Sequence, residues 1–252
     1  MVFLALLLAH LLGDFPLQPG KVAANKGRRL WASGAHFAIH YGTAWACLLL
    51  FTHIAFRSIT AQAVILGYLL VHLAIDLTKH ALVVRRIVPD GAVIFLADQA
   101  AHVVTVVAAT GLLTGAGITE FFGQMHLSPM IKFRILTIAT IYVGTIFGGG
   151  YLVRYLTKSL ASDITTENAA QLKNAGLYIG WVERFLVLTA IAVQAPALVG
   201  LILTGKSIAR FPELKESRFA EYFLIGTLSS TALAVVGGLV ISYMVYGTVS
   251  LK

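Results

Sequence analysis

Histidine and aspartate recur at intervals of four along the first hundred residues: His10–Asp14–Gln18, His36–His40, His72–Asp76–His80 and Asp98–His102. On an α-helix, side chains four apart project from one face. Each set is therefore a stripe of imidazoles and carboxylates on one helix. Neutral imidazole and ionised carboxylate together suit Zn²⁺ first, then Mn²⁺ or Fe²⁺. The same groups also relay protons or pass cations where they line a path through a membrane.

Eight side chains are candidate metal ligands: His10, Asp14, His36, His40, His72, Asp76, Asp98 and His102. That exceeds the roughly four ligands of a closed zinc site. Two ions, or one ion with Asp–His pairs behind its ligands, would use the number better. A divalent ion with an open position lowers the pKa of its water to about 7 and so makes hydroxide for hydrolysis. Asp14 and Asp76 are then candidates to accept that water's proton, and Glu183 is a further candidate base. Gln18, Lys21, Lys79, His80 and Gln99 would orient the ligands or touch a substrate, the lysines by meeting a lipid phosphate.

The background of these stripes is apolar. Of 252 residues, 58% are hydrophobic and 12% charged, about half the charge of an average soluble domain. The expected fold is an all-α integral membrane protein of six or seven spans. Candidate spans are 1–18, 35–56, 59–80, 92–114, 131–157, 176–204 and 219–247, the first the least convincing because only about its first dozen residues are strongly apolar, so that it would tilt, stop short or bend at Pro16. The single Cys47 excludes an internal disulfide and a cysteine metal site. The net charge of +8 follows the positive-inside rule and contact with anionic lipid. No aromatic-and-basic motif points to nucleic acid. The soluble motifs GxSxG, Walker A and GxGxxG are absent, which leaves the chemistries they carry unsupported.

Alternating spans bring all four stripes to one leaflet, because they close spans 1 and 3 and open spans 2 and 4. With the N-terminus outside, eleven basic residues fall on that side (Lys21, Lys26, Arg28, Arg29, Lys79, Arg85, Arg86, Arg154, Lys158, Lys173, Lys252). Seven fall on the other (Arg57, Lys132, Arg134, Lys206, Arg210, Lys215, Arg218). The expected setting is a bacterial cytoplasmic membrane, with the stripes near the cytoplasmic leaflet. A shift of 62 residues lays His10 on His72, Asp14 on Asp76, Gln18 on His80, His36 on Asp98 and His40 on His102 without a gap. This predicts two parallel helical-hairpin repeats, which commonly enclose a binding site. The expected organisation is a repeat-built module over 1–115, an interfacial connector over 116–130, and a three-helix module over 131–252. The last would cover the site, bind lipid or form a homo-oligomer.

HLLGDFPLQ, the H-x-x-x-H of span 2, HLAIDLTKH and DQAAH resemble a bacterial family of multipass membrane proteins catalogued only as a domain of unknown function. GWVERFL and KSIARFPELK…EYFLIGTL are similar to segments of its longer members. The resemblance implies a fold class and no activity. A looser analogy is to membrane-bound metal-dependent hydrolases, including seven-helix zinc amidases, whose ligand order differs from the one here. The expected function is a metal-dependent hydrolase acting on a lipid or lipid-linked substrate. The alternatives are a divalent-cation or proton-coupled transporter, and a structural or partner-binding membrane protein whose polar groups tie helices together.

Overall fold

The structure, a computed structural model, describes residues 1–115, 131–161 and 175–247. The predicted connector over 116–130 lies outside the described residues, as does most of the polar loop after residue 161. The described residues are helical, with no strand among them. They divide into two units, Met1–Thr140 and Ile141–Lys252.

In the first unit, α1 (Val2–Asp14) stops where Pro16 forbids a further turn. The residue before a proline is pushed out of the helical region, and Phe15 has left it. Pro19 then opens the short α2 (Gly20–Asn25). The chain turns at Gly27, whose φ of 82° favours glycine, and enters α3 (Leu30–Phe51). The Ser58 hydroxyl accepts a hydrogen bond from the Ala61 amide at 3.3 Å and caps α4 (Ile59–Val84). Pro89, Asp90 and Gly91 separate α4 from α5 (Ala92–Thr114), which ends on left-handed Gly115. Helix α1 packs on α3 and α5, and α4 packs on α3 and α5.

Helix α6 (Ile131–Leu156) carries a π turn over Gly144–Gly148. In the second unit follow the single-turn α7 (Lys158–Ala161), α8 (Ala175–Ala192), α9 (Ala197–Ala209) and α10 (Ser217–Tyr246). Helix α8 packs on α9 and along α10.

Among the described residues, four helices are long and apolar enough to cross a membrane: α4, α5, α6 and α10. The expected first span, 1–18, is shorter than read: α1 has 13 residues, about 20 Å of helix against a hydrocarbon core of about 30 Å. The second begins five residues early, at Leu30, and ends at Phe51. The expected span 176–204 is two helices. Pro196 has no amide proton to continue α8, and Gln194 sits at φ 60° in the break.

Burial shows which solvent these helices meet. Along α4 the buried residues are Ala61, Ile65, Tyr68, Leu69, His72 and Asp76, while Leu66, Leu70, Val71 and Leu77 are exposed. Along α5 Asp98 and His102 are buried, while Leu96, Val103 and Val104 are exposed. A helix with charge inside and leucine outside has its low-energy surroundings in hydrocarbon. The chain is an integral membrane protein.

Candidate metal centre

All four stripes turn inward. His10, His36, His40, His72 and His102 are buried, with Asp14, Asp76 and Asp98 beside them. Helix α1 supplies His10 and Asp14, α3 His36 and His40, α4 His72 and Asp76, and α5 Asp98 and His102. The i, i+4 spacing on four mutually packed helices is what gathers them.

The donor atoms converge. Asp14 Oδ1 lies 3.4 Å from His36 Nε2, 3.3 Å from His40 Nε2 and 3.9 Å from His72 Nε2. His36 Nε2 and His72 Nε2 are 3.2 Å apart. Four donors about 2.1 Å from one tetrahedral ion stand about 3.4 Å from each other, so this spacing is that of a ligand shell. A second group overlaps it. His72 Nε2 is 3.5 Å from Asp76 Oδ2, and His102 stacks edge-on to His72 with centroids 4.2 Å apart. His72, Asp76 and His102 also offer ligand atoms within 4.8 Å of one another.

Groups behind the rings fix their orientation. His102 Nδ1 is 2.7 Å from the Asp98 carbonyl oxygen. A carbonyl only accepts, so Nδ1 carries the proton and donates. In the neutral ring Nε2 then keeps its lone pair, and it is buried without a hydrogen-bond partner among the described residues. A backbone carbonyl behind a histidine is the usual way of presenting its other nitrogen to a metal. Gln18 Nε2 donates to His36 Nδ1 at 2.7 Å, which puts the neutral ring's proton on Nε2, 3.0 Å from Asp76 Oδ2; ligation through Nε2 requires the Gln18 amide turned so that its oxygen accepts from Nδ1. His40 fits because residue 13 is glycine: a Cβ there would stand 2.7 Å from its Cε1 and Nε2.

Two lysines complete the charge balance. Lys26 Nζ is 3.5 Å from Asp14 Oδ1 and 3.3 Å from both Asp76 oxygens. Burial alone would favour the neutral amine, but Asp14 and Asp76 outweigh it and hold the Lys26 pKa above the ordinary lysine range. Lys79 Nζ is 2.9 Å from Asp98 Oδ2 and lies over the Phe95 ring. With the imidazoles neutral, three carboxylates against two ammoniums leave one negative charge in the cluster. The donor set and this charge both fit a divalent cation.

Of the eight expected ligands, six fall in the two groups. His10 stands beside them, its Nε2 3.7 Å from Asp14 Oδ2 and 3.4 Å from Gln99 Oε1. Asp98 is held by Lys79 and by the Gln99 amide at 3.2 Å. Gln18, Lys79 and Gln99 thus back the cluster as supporting groups. His80 lies against Gly27, where a Cβ would stand 2.7 Å from its ring. Lys21 is exposed. Glu183 belongs to the second unit, where Lys206 donates to it and its Oε1 is buried without a partner among the described residues. Its neighbour Arg184 donates instead to the Ile146 carbonyl at 2.9 Å and to Ser230 Oγ at 3.2 Å. Sequence reasoning missed Lys26 as a site residue. It sits among Lys21, Arg28 and Arg29, and nothing in its spacing separates it from charges that set topology.

The family comparison falls on this same stretch. A model described as "protein of unknown function (DUF3307)" matches residues 2–128, which contain every residue of the cluster. The chain belongs to the DUF3307 family. No curated protein and no solved structure matches it. DUF3307 membership thus covers the His/Asp cluster and names no chemistry for it.

Proposed function

We propose that this protein is a membrane-embedded metal-dependent hydrolase acting on a lipid or lipid-linked substrate. The observation that carries the reading is the donor spacing around Asp14 Oδ1, where His36, His40 and His72 present Nε2 at 3.3–3.9 Å. Helix ties alone would not require five buried imidazoles and three carboxylates on four helices, since one interhelical hydrogen bond between polar groups adds only about 0.6 kcal/mol. Three of the donors Asp14, His36, His40 and His72 would hold the ion, with a fourth position left for water. The ion would supply Lewis acidity and an acidified water. Asp76, 3.0 Å from His36 and paired with Lys26, would hold His36 beside the ion. Zinc is the expected ion, with manganese or iron as the other candidates. The orientation read from the loop charges puts this chemistry near the cytoplasmic leaflet, and the 62-residue offset makes the two hairpins pseudo-symmetric.

The test joins metal content to turnover. Protein purified in mild detergent without chelator should carry about one divalent ion or more per chain and release soluble or newly polar products from lipid-extract vesicles. Chelator should abolish release, metal should restore it, and Asp14→Asn and Asp76→Asn should each lose both metal and release. Less than about a tenth of an ion per chain would sink the reading. Tight metal without hydrolysis, but with ion flux into liposomes, would replace it by transport.

A further inference from the structure

We propose that the cluster holds two ions, not one, and that its substrate is a phosphoester. This rests on the metal reading above. The six converging donors fall in two overlapping groups that share His72, and they can be assigned as two triads of the same composition, each with one carboxylate and two imidazoles. In the first, Asp14 Oδ1 stands 3.4 Å from His36 Nε2 and 3.3 Å from His40 Nε2. In the second, Asp76 Oδ2 stands 3.5 Å from His72 Nε2, and His102 lies against His72. Helices α1 and α3 build the first triad, and α4 and α5 the second. Asp14 and Asp76, and His40 and His102, are related by the 62-residue offset.

A single ion leaves much of this unexplained. If Asp14, His36, His40 and His72 closed one four-ligand shell, His102 Nε2 would remain buried without a partner among the described residues, although its Nδ1 is fixed by a backbone carbonyl. Leaving a buried polar atom unpaired is costly. With three ligands each, both triads keep a position for water or substrate, as catalytic zinc sites do. The triads also abut, with His36 Nε2 3.2 Å from His72 Nε2 and 3.0 Å from Asp76 Oδ2. This allows the roughly 3.5–4 Å ion separation of two-metal hydrolytic centres.

The substrate class follows from what two adjacent ions and two ammoniums stabilise. A two-ion clamp serves in-line displacement at phosphorus by holding the attacking and leaving oxygens. Lys26 and Lys79 are 27% and 24% exposed, so each touches the carboxylates on one side and the surroundings on the other. Their ammoniums are point charges for phosphate oxygens. In the reaction, the oxygen of water forms a new bond to phosphorus. The bond from phosphorus to the alcohol oxygen breaks, and its electron pair stays on that oxygen. For a phosphomonoester, one proton of the water ends on the alcohol and the other stays with the phosphate, giving free alcohol and inorganic phosphate.

Titration of the purified full-length protein with Mn²⁺, read by electron paramagnetic resonance, tests the count. The expected result is two ions per chain with a spin-coupled spectrum. His40→Ala and His102→Ala should each leave one ion with an uncoupled sextet. One uncoupled ion per wild-type chain overturns the two-ion centre and spares the metal reading; no bound ion overturns both. The wild-type count decides even if a variant fails to fold. Inorganic phosphate should then bind the two-ion protein, with affinity falling roughly tenfold in Lys26→Met and in Lys79→Met. Phosphate that fails to bind the two-ion protein, or binds it equally without either lysine, overturns the substrate class.

Discussion

His40 reaches the cluster only because residue 13 has no side chain. A methyl at that position would stand 2.7 Å from the imidazole, closer than carbon and nitrogen tolerate. Gly13→Ala should therefore rotate His40 away from Asp14. We expect metal affinity to fall about tenfold or more with helix content by circular dichroism unchanged. Wild-type affinity in this variant would mean that His40 is not a ligand. Lys26→Met should act in the opposite direction on metal, because it removes a positive charge 3.3–3.5 Å from two carboxylates. A few-fold gain in affinity by titration is expected from Coulomb attraction at the edge of a protein; a large loss would show that Lys26 holds the site together instead. These two residues also mark what the sequence concealed. The His/Asp stripes were legible because ionisable groups at a period of four stand out in an apolar run. Gly13 and Lys26 were not, because their roles depend on which helix lies opposite and on the turn at Gly27.

At the scale of elements, helix existence was readable from apolar runs, and several boundaries were not. The span expected over 176–204 breaks at Pro196, a signal present in the sequence but outweighed by its apolar flanks. The π turn over Gly144–Gly148 had no local signal, because its partner is 38 residues away in sequence: the Ile146 carbonyl accepts from Arg184 Nε. A π turn frees carbonyls from the regular ladder, and here one of them satisfies a buried guanidinium. The glycines at 148–150 make room for that guanidinium. A Cβ on Gly150 would stand 2.5 Å from Arg184 Nη2. Gly150→Ala should lower thermal stability in detergent by about 1–3 kcal/mol as an overpacking substitution. Combined with Arg184→Met, the same alanine should cost less than it does alone, since the clash is removed. Additive losses in the double variant would show that the two residues do not meet.

At the scale of the molecule, charge and imidazole lie inside the first unit while leucine, valine and isoleucine cover the outer faces of α4 and α5. Composition alone made the membrane class legible. The family match over residues 2–128 coincides with the stretch that holds the cluster, while Glu183 and Arg184 have their own partners in the second unit. The site was legible as four stripes, whereas its division into two overlapping groups required the distances. The central claim is that buried imidazole and carboxylate converge on metal. The most direct measurement is element-specific anomalous density from crystals of protein purified without chelator. A peak within about 2.0–2.2 Å of Asp14, His36 and His40 donors is predicted. Ordered side chains at these positions with no anomalous peak among them, in protein never exposed to chelator, would contradict it.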